Sequence, residues 1–84
     1  MNQHKLEEIL LSLFRQKEIM KSITAEQDFF ELGVSSLTIV EMQIAVEKEL
    51  QVEVSTSTLM GAPTVSEWVE VYSQKINSQE SAES

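Results

Sequence analysis

Apolar residues at three- and four-residue spacing recur in separate stretches of this chain, a periodicity that dictates amphipathic helices that must cover one another's faces. In the first stretch, Leu6, Ile9, Leu10, Leu13 and Phe14 gather on one face between Lys5 and about Glu18, while Glu7, Glu8, Ser12 and Arg15 face away. The second runs from Ser35 or Ser36 to about Leu50; Gly33 ends the preceding loop and a serine serves as N-cap. The last opens on Thr64-Val65-Ser66-Glu67, a capping box, and carries a buried stripe of Val65, Trp68, Val69, Tyr72 and Ile76. By the same spacing Met42 is core filler, and Trp68 and Tyr72 are core rather than a stacking pair for a ligand.

The connections complete the expected architecture. Residues 19–34 lack helical periodicity, yet Ile23, Phe29, Phe30 and Leu32 make them too apolar for a free linker, so this long connection packs on the core. Thr58-Leu59-Met60 forms one short helical turn before Gly61 and Pro63. With 84 residues there is room for one modest core. The expectation is an all-α fold: a small four-helix bundle with a long first loop and a short third helix. Residues 1–77 form the domain and 78–84 a disordered polar tail.

Composition removes several function classes. There is no cysteine and one histidine, so no structural zinc or imidazole-rich metal site can be assembled. The formal net charge of -8 argues against nucleic acid, whose binding depends on Lys and Arg displacing counterions; it points either to basic protein surfaces as partners or, with at least equal weight on charge alone, to acidity that merely keeps a small protein soluble. No apolar run approaches a membrane span, and the chain reads as cytoplasmic and monomeric. A serine nucleophile needs a base within hydrogen-bond reach, and His4 lies in the expected disordered start of the first helix. No catalytic residue is assigned, and the chain is not read as an enzyme.

The second helix is unusual in having two apolar groups. Ile39, Met42, Val46 and Leu50 lie within about 80° of one another at helical spacing and form the core stripe. Leu37, Val40 and Ile44 lie on the other side, bordered by Glu41, Glu47 and Lys48, with Ser36 one turn before Val40. One reading sandwiches the helix in the bundle with both faces buried. The other makes Leu37-Val40-Ile44 a docking patch with a charged rim, in which Ser35, Leu37, Val40, Glu41, Ile44 and Glu47 meet partners.

The segment Phe29-Phe30-Glu31-Leu32-Gly33-Val34-Ser35-Ser36-Leu37 resembles the phosphopantetheine-dependent carrier proteins of fatty-acid, polyketide and nonribosomal-peptide synthesis. Leu32, Gly33, Ser36 and Leu37 match that family's pattern in register, Asp28 and Phe30 support the lead-in, and the helix order agrees over nearly the whole folded chain. The resemblance implies an acyl-carrier-protein-like bundle. It further implies that Ser36 bears 4′-phosphopantetheine, delivered from coenzyme A by a phosphopantetheinyl transferase and carrying cargo as a thioester. By position alone Ser36 is an ordinary helix cap, although a helix N-terminus does favour a phosphate. Many family members have aspartate just before the modified serine; this chain has Ser35, which can still cap the helix.

Further implications of the resemblance are a cargo-loading adenylating enzyme or acyltransferase, and downstream synthase or tailoring enzymes. The Phe30-Glu31-Leu32-Gly33 phrasing looks more like polyketide and nonribosomal-peptide carriers, hence natural-product biosynthesis by a discrete, diffusing protein. Met60 is placed to line a groove that receives cargo. The competing reading is a helical interaction module without a prosthetic group, docking through the same patch.

Overall fold

The computed structural model describes residues 2–83, with side chains described as far as residue 78. Its elements are α1 (Gln3–Phe14), a 3-10 turn (Glu18–Met20), α2 (Ser36–Leu50), α3 (Thr56–Met60) and α4 (Val65–Glu83). The all-α bundle with a long first connection and a short third helix is the architecture expected from the spacing.

Helix ends depart from the periodicity where local hydrogen bonds intervene. Asn2 caps α1 by accepting from the Lys5 N–H at 2.7 Å, so the helix starts before Lys5. His4 is therefore helical, with Nε2 3.1 Å from Glu8, rather than part of a disordered start. At the other end α1 stops at Phe14, short of the expected Glu18. The Arg15 guanidinium turns into the following connection, and its Nε and Nη2 donate to the Ile23 carbonyl at 3.1 and 2.8 Å. Ser55 caps α3 through the Thr58 N–H, which starts that helix at Thr56 rather than Thr58. One half of the capping box forms before α4, the Glu67 N–H donating to Thr64 Oγ1 at 3.1 Å. The backbone of α4 continues to Glu83, past the boundary at Asn77 where the polar composition predicts a frayed tail.

α1 packs mainly on α4 and also on α2, and α3 bridges α2 and α4. Leu6, Leu10 and Phe14 of α1 are fully buried, as are Val65, Trp68 and Tyr72 of α4. Four aromatic rings fill the centre: Phe14 lies 5.0 Å from Trp68 and 5.2 Å from Phe29, and Trp68 lies 6.0 Å from Tyr72. Edge-to-face packing of Phe14 and of Phe29 on Trp68 uses the attraction between ring edges and faces. The indole N–H of Trp68 is satisfied by the Ala62 carbonyl at 2.8 Å.

The long connection is part of this core. Met20, Ile23, Phe29 and Val34 are buried, which explains the apolar composition of a segment without periodicity. Two backbone bonds fasten it to the start of α4: the Phe29 N–H to the Pro63 carbonyl at 2.8 Å and the Ser66 N–H to the Ala25 carbonyl at 2.9 Å. These bonds satisfy groups that burial would otherwise strand, and they fix where the chain re-enters α2.

Candidate functional site at the start of the second helix

The approach to α2 is a built turn. Asp28 Oδ1 accepts from the N–H groups of Phe30 at 2.8 Å and Glu31 at 3.2 Å. The Gly33 N–H donates to the Phe30 carbonyl at 3.1 Å, and the Val34 N–H to the Phe29 carbonyl at 3.0 Å. Gly33 has φ +88°, a conformation that side-chain-bearing residues rarely adopt. The chain then places Val34 in the core and Ser35 at the N-cap, so the Leu-Gly motif has a mechanical reason: it reverses the chain at this spot.

Ser35 Oγ accepts from the Thr38 N–H at 3.3 Å, in the capping role expected of it. Ser36 is the first residue of α2 and is exposed, and its Oγ makes no hydrogen bond to protein among the described residues. The N–H groups of Ser36 and Leu37 precede the first intrahelical bond, Ile39 N–H to the Ser35 carbonyl at 3.1 Å. A phosphate on Ser36 would meet unpaired donors and the positive end of the α2 dipole. The residues present thus fit a phosphodiester at this position.

Burial sorts the two apolar groups of α2. Ile39, Met42 and Val46 are buried and Leu50 is partly so. Leu37 is 72% exposed and Ile44 63%, with Val40 half-buried between them, which excludes the sandwiched arrangement. Glu41 is exposed on the same side, its Oε1 3.2 Å from Lys17 Nζ.

Glu47 departs from its expected place on the rim. Its Oε2 turns inward and accepts from the Val54 N–H at 2.9 Å, the Tyr72 hydroxyl at 3.1 Å and Gln43 Nε2 at 3.2 Å. Gln43 is itself buried, donating to the Val54 carbonyl at 3.1 Å and accepting from Thr56 Oγ1 at 2.8 Å. This network pins the α2–α3 loop to the bundle. Burial first, then the Glu47 charge and its hydrogen bond, hold the Tyr72 phenol well above its ordinary pKa.

Ser36 lies on open surface. A cleft of about 600 Å³ lies farther along α2, lined by residues including Ile44, Lys48, Val52 and Lys75. A groove of about 350 Å³ between α3 and α4 is lined by Thr58, Gly61, Ala62 and Val71, among others, while Met60 packs against the core. Among the described residues no group of acidic, histidine or cysteine side chains is arranged to hold a metal ion. Nor is any described helix long and apolar enough to cross a membrane.

The family model described as "Phosphopantetheine attachment site" matches residues 5–71. The chain belongs to that family. No curated protein and no solved structure matches it significantly. The family is defined by covalent attachment of 4′-phosphopantetheine, so this member is a phosphopantetheine-bearing carrier protein. Family membership also implies dealings with a phosphopantetheinyl transferase and with cargo-handling enzymes. Two contributors lie outside the motif. Ile19, in the 3-10 turn, reaches the neighbourhood of Gly33 and is exposed. Gln43 has a legible signal: helical spacing puts it about 40° from Ile39, on the core stripe.

Proposed function

We infer that Ser36 is the attachment serine, and that the chain shuttles acyl or aminoacyl cargo between enzymes of polyketide or nonribosomal-peptide type biosynthesis. The observation that carries this reading is Ser36 itself, exposed at the first position of α2, in register with Leu32-Gly33 and followed by the uncovered Leu37. Its hydroxyl oxygen forms a bond to the β-phosphorus of coenzyme A. The bond from that phosphorus to the bridging oxygen breaks, adenosine 3′,5′-bisphosphate leaves, and the serine proton passes to a base of the transferase. Once attached, the arm supplies a terminal thiol that holds cargo as a thioester.

The chain contributes the hydroxyl, the helix dipole and a docking face, and partners contribute the catalysis; the chain is not itself an enzyme. Leu37, Val40 and Ile44 give that face an apolar centre, with Ser35 and Glu41 at its edge. Glu47 supports it from beneath by holding the end of α2 to the loop. Partners are the transferase, a loading adenylating enzyme or acyltransferase, and downstream synthase or tailoring enzymes. The Phe30-Glu31-Leu32-Gly33 phrasing supports the assembly-line assignment. The working unit is the monomeric domain of residues 1–77, whose apolar stripe on α4 ends at Ile76; 78–84 lie outside it. With coenzyme A as donor, the cytoplasm is the compartment this reading assigns.

The test is intact mass after incubation with coenzyme A and a broad-specificity phosphopantetheinyl transferase. The expected result is a gain of one phosphopantetheine, mapped by peptide fragmentation to Ser36 and absent from Ser36→Ala. A mass that stays constant with several transferases points instead to an interaction module that docks without an arm.

A further inference from the structure

Two helices of this chain open on one four-residue pattern: Ser35-Ser36-Leu37-Thr38 at the start of α2 and Ser55-Thr56-Ser57-Thr58 at the start of α3. In each, the N-cap serine accepts the N–H of the threonine three residues on, at 3.3 Å from Thr38 and 3.1 Å from Thr58. In each, the two hydroxyls also meet, with Ser35 Oγ 3.2 Å from Thr38 Oγ1 and Ser55 Oγ 2.8 Å from Thr58 Oγ1. The residue just after the cap tells the two apart. In α3, Thr56 Oγ1 donates to Gln43 at 2.8 Å and Ser57 Oγ lies 3.1 Å from Ser55 Oγ, so all four hydroxyls are engaged. In α2, Ser36 Oγ alone has no protein partner among the described residues.

Burial does not distinguish Ser35 from Ser36, since both are exposed. Hydrogen bonding does. A serine hydroxyl has one proton and two lone pairs. To react with coenzyme A its oxygen must offer a lone pair to the β-phosphorus, displacing adenosine 3′,5′-bisphosphate, and its proton must pass to a base of the transferase. Ser35 Oγ already commits one lone pair to the Thr38 N–H. Its contact with Thr38 Oγ1 commits the second lone pair when the threonine donates, or the proton when the serine donates. Either orientation withholds something the reaction needs, and attack by Ser35 would also strip α2 of its cap. Ser36 has no such commitments.

Thr38 is half-buried and stands at the third helical position, where the reciprocal partner of a capping residue belongs. In a capping box a Glu or Gln there reaches the backbone N–H of the cap. Here a short hydroxyl reaches the side chain of the cap instead. A cap without a hydroxyl would need no such partner, whereas a serine cap beside a serine nucleophile offers the transferase two adjacent oxygens. We propose that Thr38 is a positioning residue that fixes which of the two serines is modified, by holding the Ser35 hydroxyl out of the reaction. This rests on Ser36 being the modified residue.

The experiment loads the full chain from coenzyme A with excess broad-specificity phosphopantetheinyl transferase, so that minor products are measurable, and reads the ratio of Ser35- to Ser36-modified peptide by fragmentation. Wild type is compared with Thr38→Val and Thr38→Ala, which remove the hydroxyl and keep the N–H, and with Thr38→Ser, which restores a hydroxyl. One hydrogen bond corresponds to about fivefold in such a ratio. The Ser35 share should therefore rise about fivefold in the Val and Ala variants and return to the wild-type value in Thr38→Ser. A general disturbance of α2 would slow loading at both serines and leave the ratio where it was. Circular dichroism melts verify that each variant is folded. A ratio that does not move, or a Ser35 that stays unmodified in every variant, overturns the role of Thr38 and leaves the Ser36 assignment standing. Wild-type modification that maps to Ser35, or no modification of wild type by any transferase, overturns both.

Discussion

The phenol of Tyr72 donates to Glu47 Oε2 at 3.1 Å, joining α4 to α2 across 25 residues of chain. The same oxygen accepts the Val54 N–H and Gln43 Nε2, so one carboxylate fastens two helices and a loop. Glu47→Ala leaves the Val54 N–H and the Tyr72 hydroxyl without their acceptor. The expected loss is about 2 kcal/mol in urea unfolding, since a stranded buried donor costs more than a typical hydrogen bond contributes. Hydrogen exchange at the Val54 amide should accelerate more than at Val46. A change within the scatter of surface substitutions would show that the network carries no weight.

The raised Tyr72 pKa makes stability fall on the alkaline side. The unfolded phenol releases its proton near pH 10 while the folded one retains it, so above about pH 10 the unfolded state binds fewer protons and is favoured. The contribution is complete below that pH and declines above it. Thermal melts of wild type and Tyr72→Phe from pH 8 upward test this: the two curves should converge as the pH passes about 10. A gap that stays constant would mean that the phenol is not neutral in the fold for the reason given.

Gly33 is a backbone requirement rather than a steric one. A Cβ there meets Ile19 Cδ1 at 3.8 Å, an ordinary contact, but the residue has φ +88°. Gly33→Ala should therefore destabilise by about 1–2 kcal/mol through backbone strain alone. Loading should slow as the entry to α2 shifts. Gly61 has no positive φ and serves as comparison: Gly61→Ala should cost less.

Ser35 separates capping from charge. Ser35→Ala removes the acceptor of the Thr38 N–H and should cost about 1 kcal/mol. Ser35→Asp keeps an acceptor and adds a negative charge at the positive end of α2, worth about 0.3–1 kcal/mol at low salt. The melting temperature should rank Asp above Ser above Ala, and high salt should narrow the first interval.

Exposure predicts which apolar residues of α2 and α4 can be lost without unfolding. Leu37→Ser and Ile44→Ser should change stability by less than about 0.5 kcal/mol, while Trp68→Ala, at the centre of the aromatic cluster, should cost about 3–5 kcal/mol. The first pair should slow cargo-handling steps in a fully folded carrier, measured by cargo transfer after loading. Large destabilisation from Leu37→Ser would mean that its side chain packs more than its exposure indicates.

Helix faces are legible because side-chain direction follows local spacing: Leu6, Leu10 and Phe14, or Val65, Trp68 and Tyr72, could be assigned to the core from the chain alone. The motif around Gly33 and Ser36 was legible for a similar reason, since a left-handed glycine, a cap and a helix start are neighbours in sequence. The ends of α1 and α3 were less so, because they depend on whether Arg15 and Ser55 turn to particular backbone groups.

By itself the sequence determined the helices, the core stripe and the serine that opens α2. Tertiary structure alone decided that Glu47 leaves the rim for the interior and that Ile19 comes up against the turn at Gly33. Periodicity reports where a side chain points on its own helix. Which donor or apolar surface awaits it is set by segments many residues away, as Tyr72 is for Glu47 and Gly33 for Ile19.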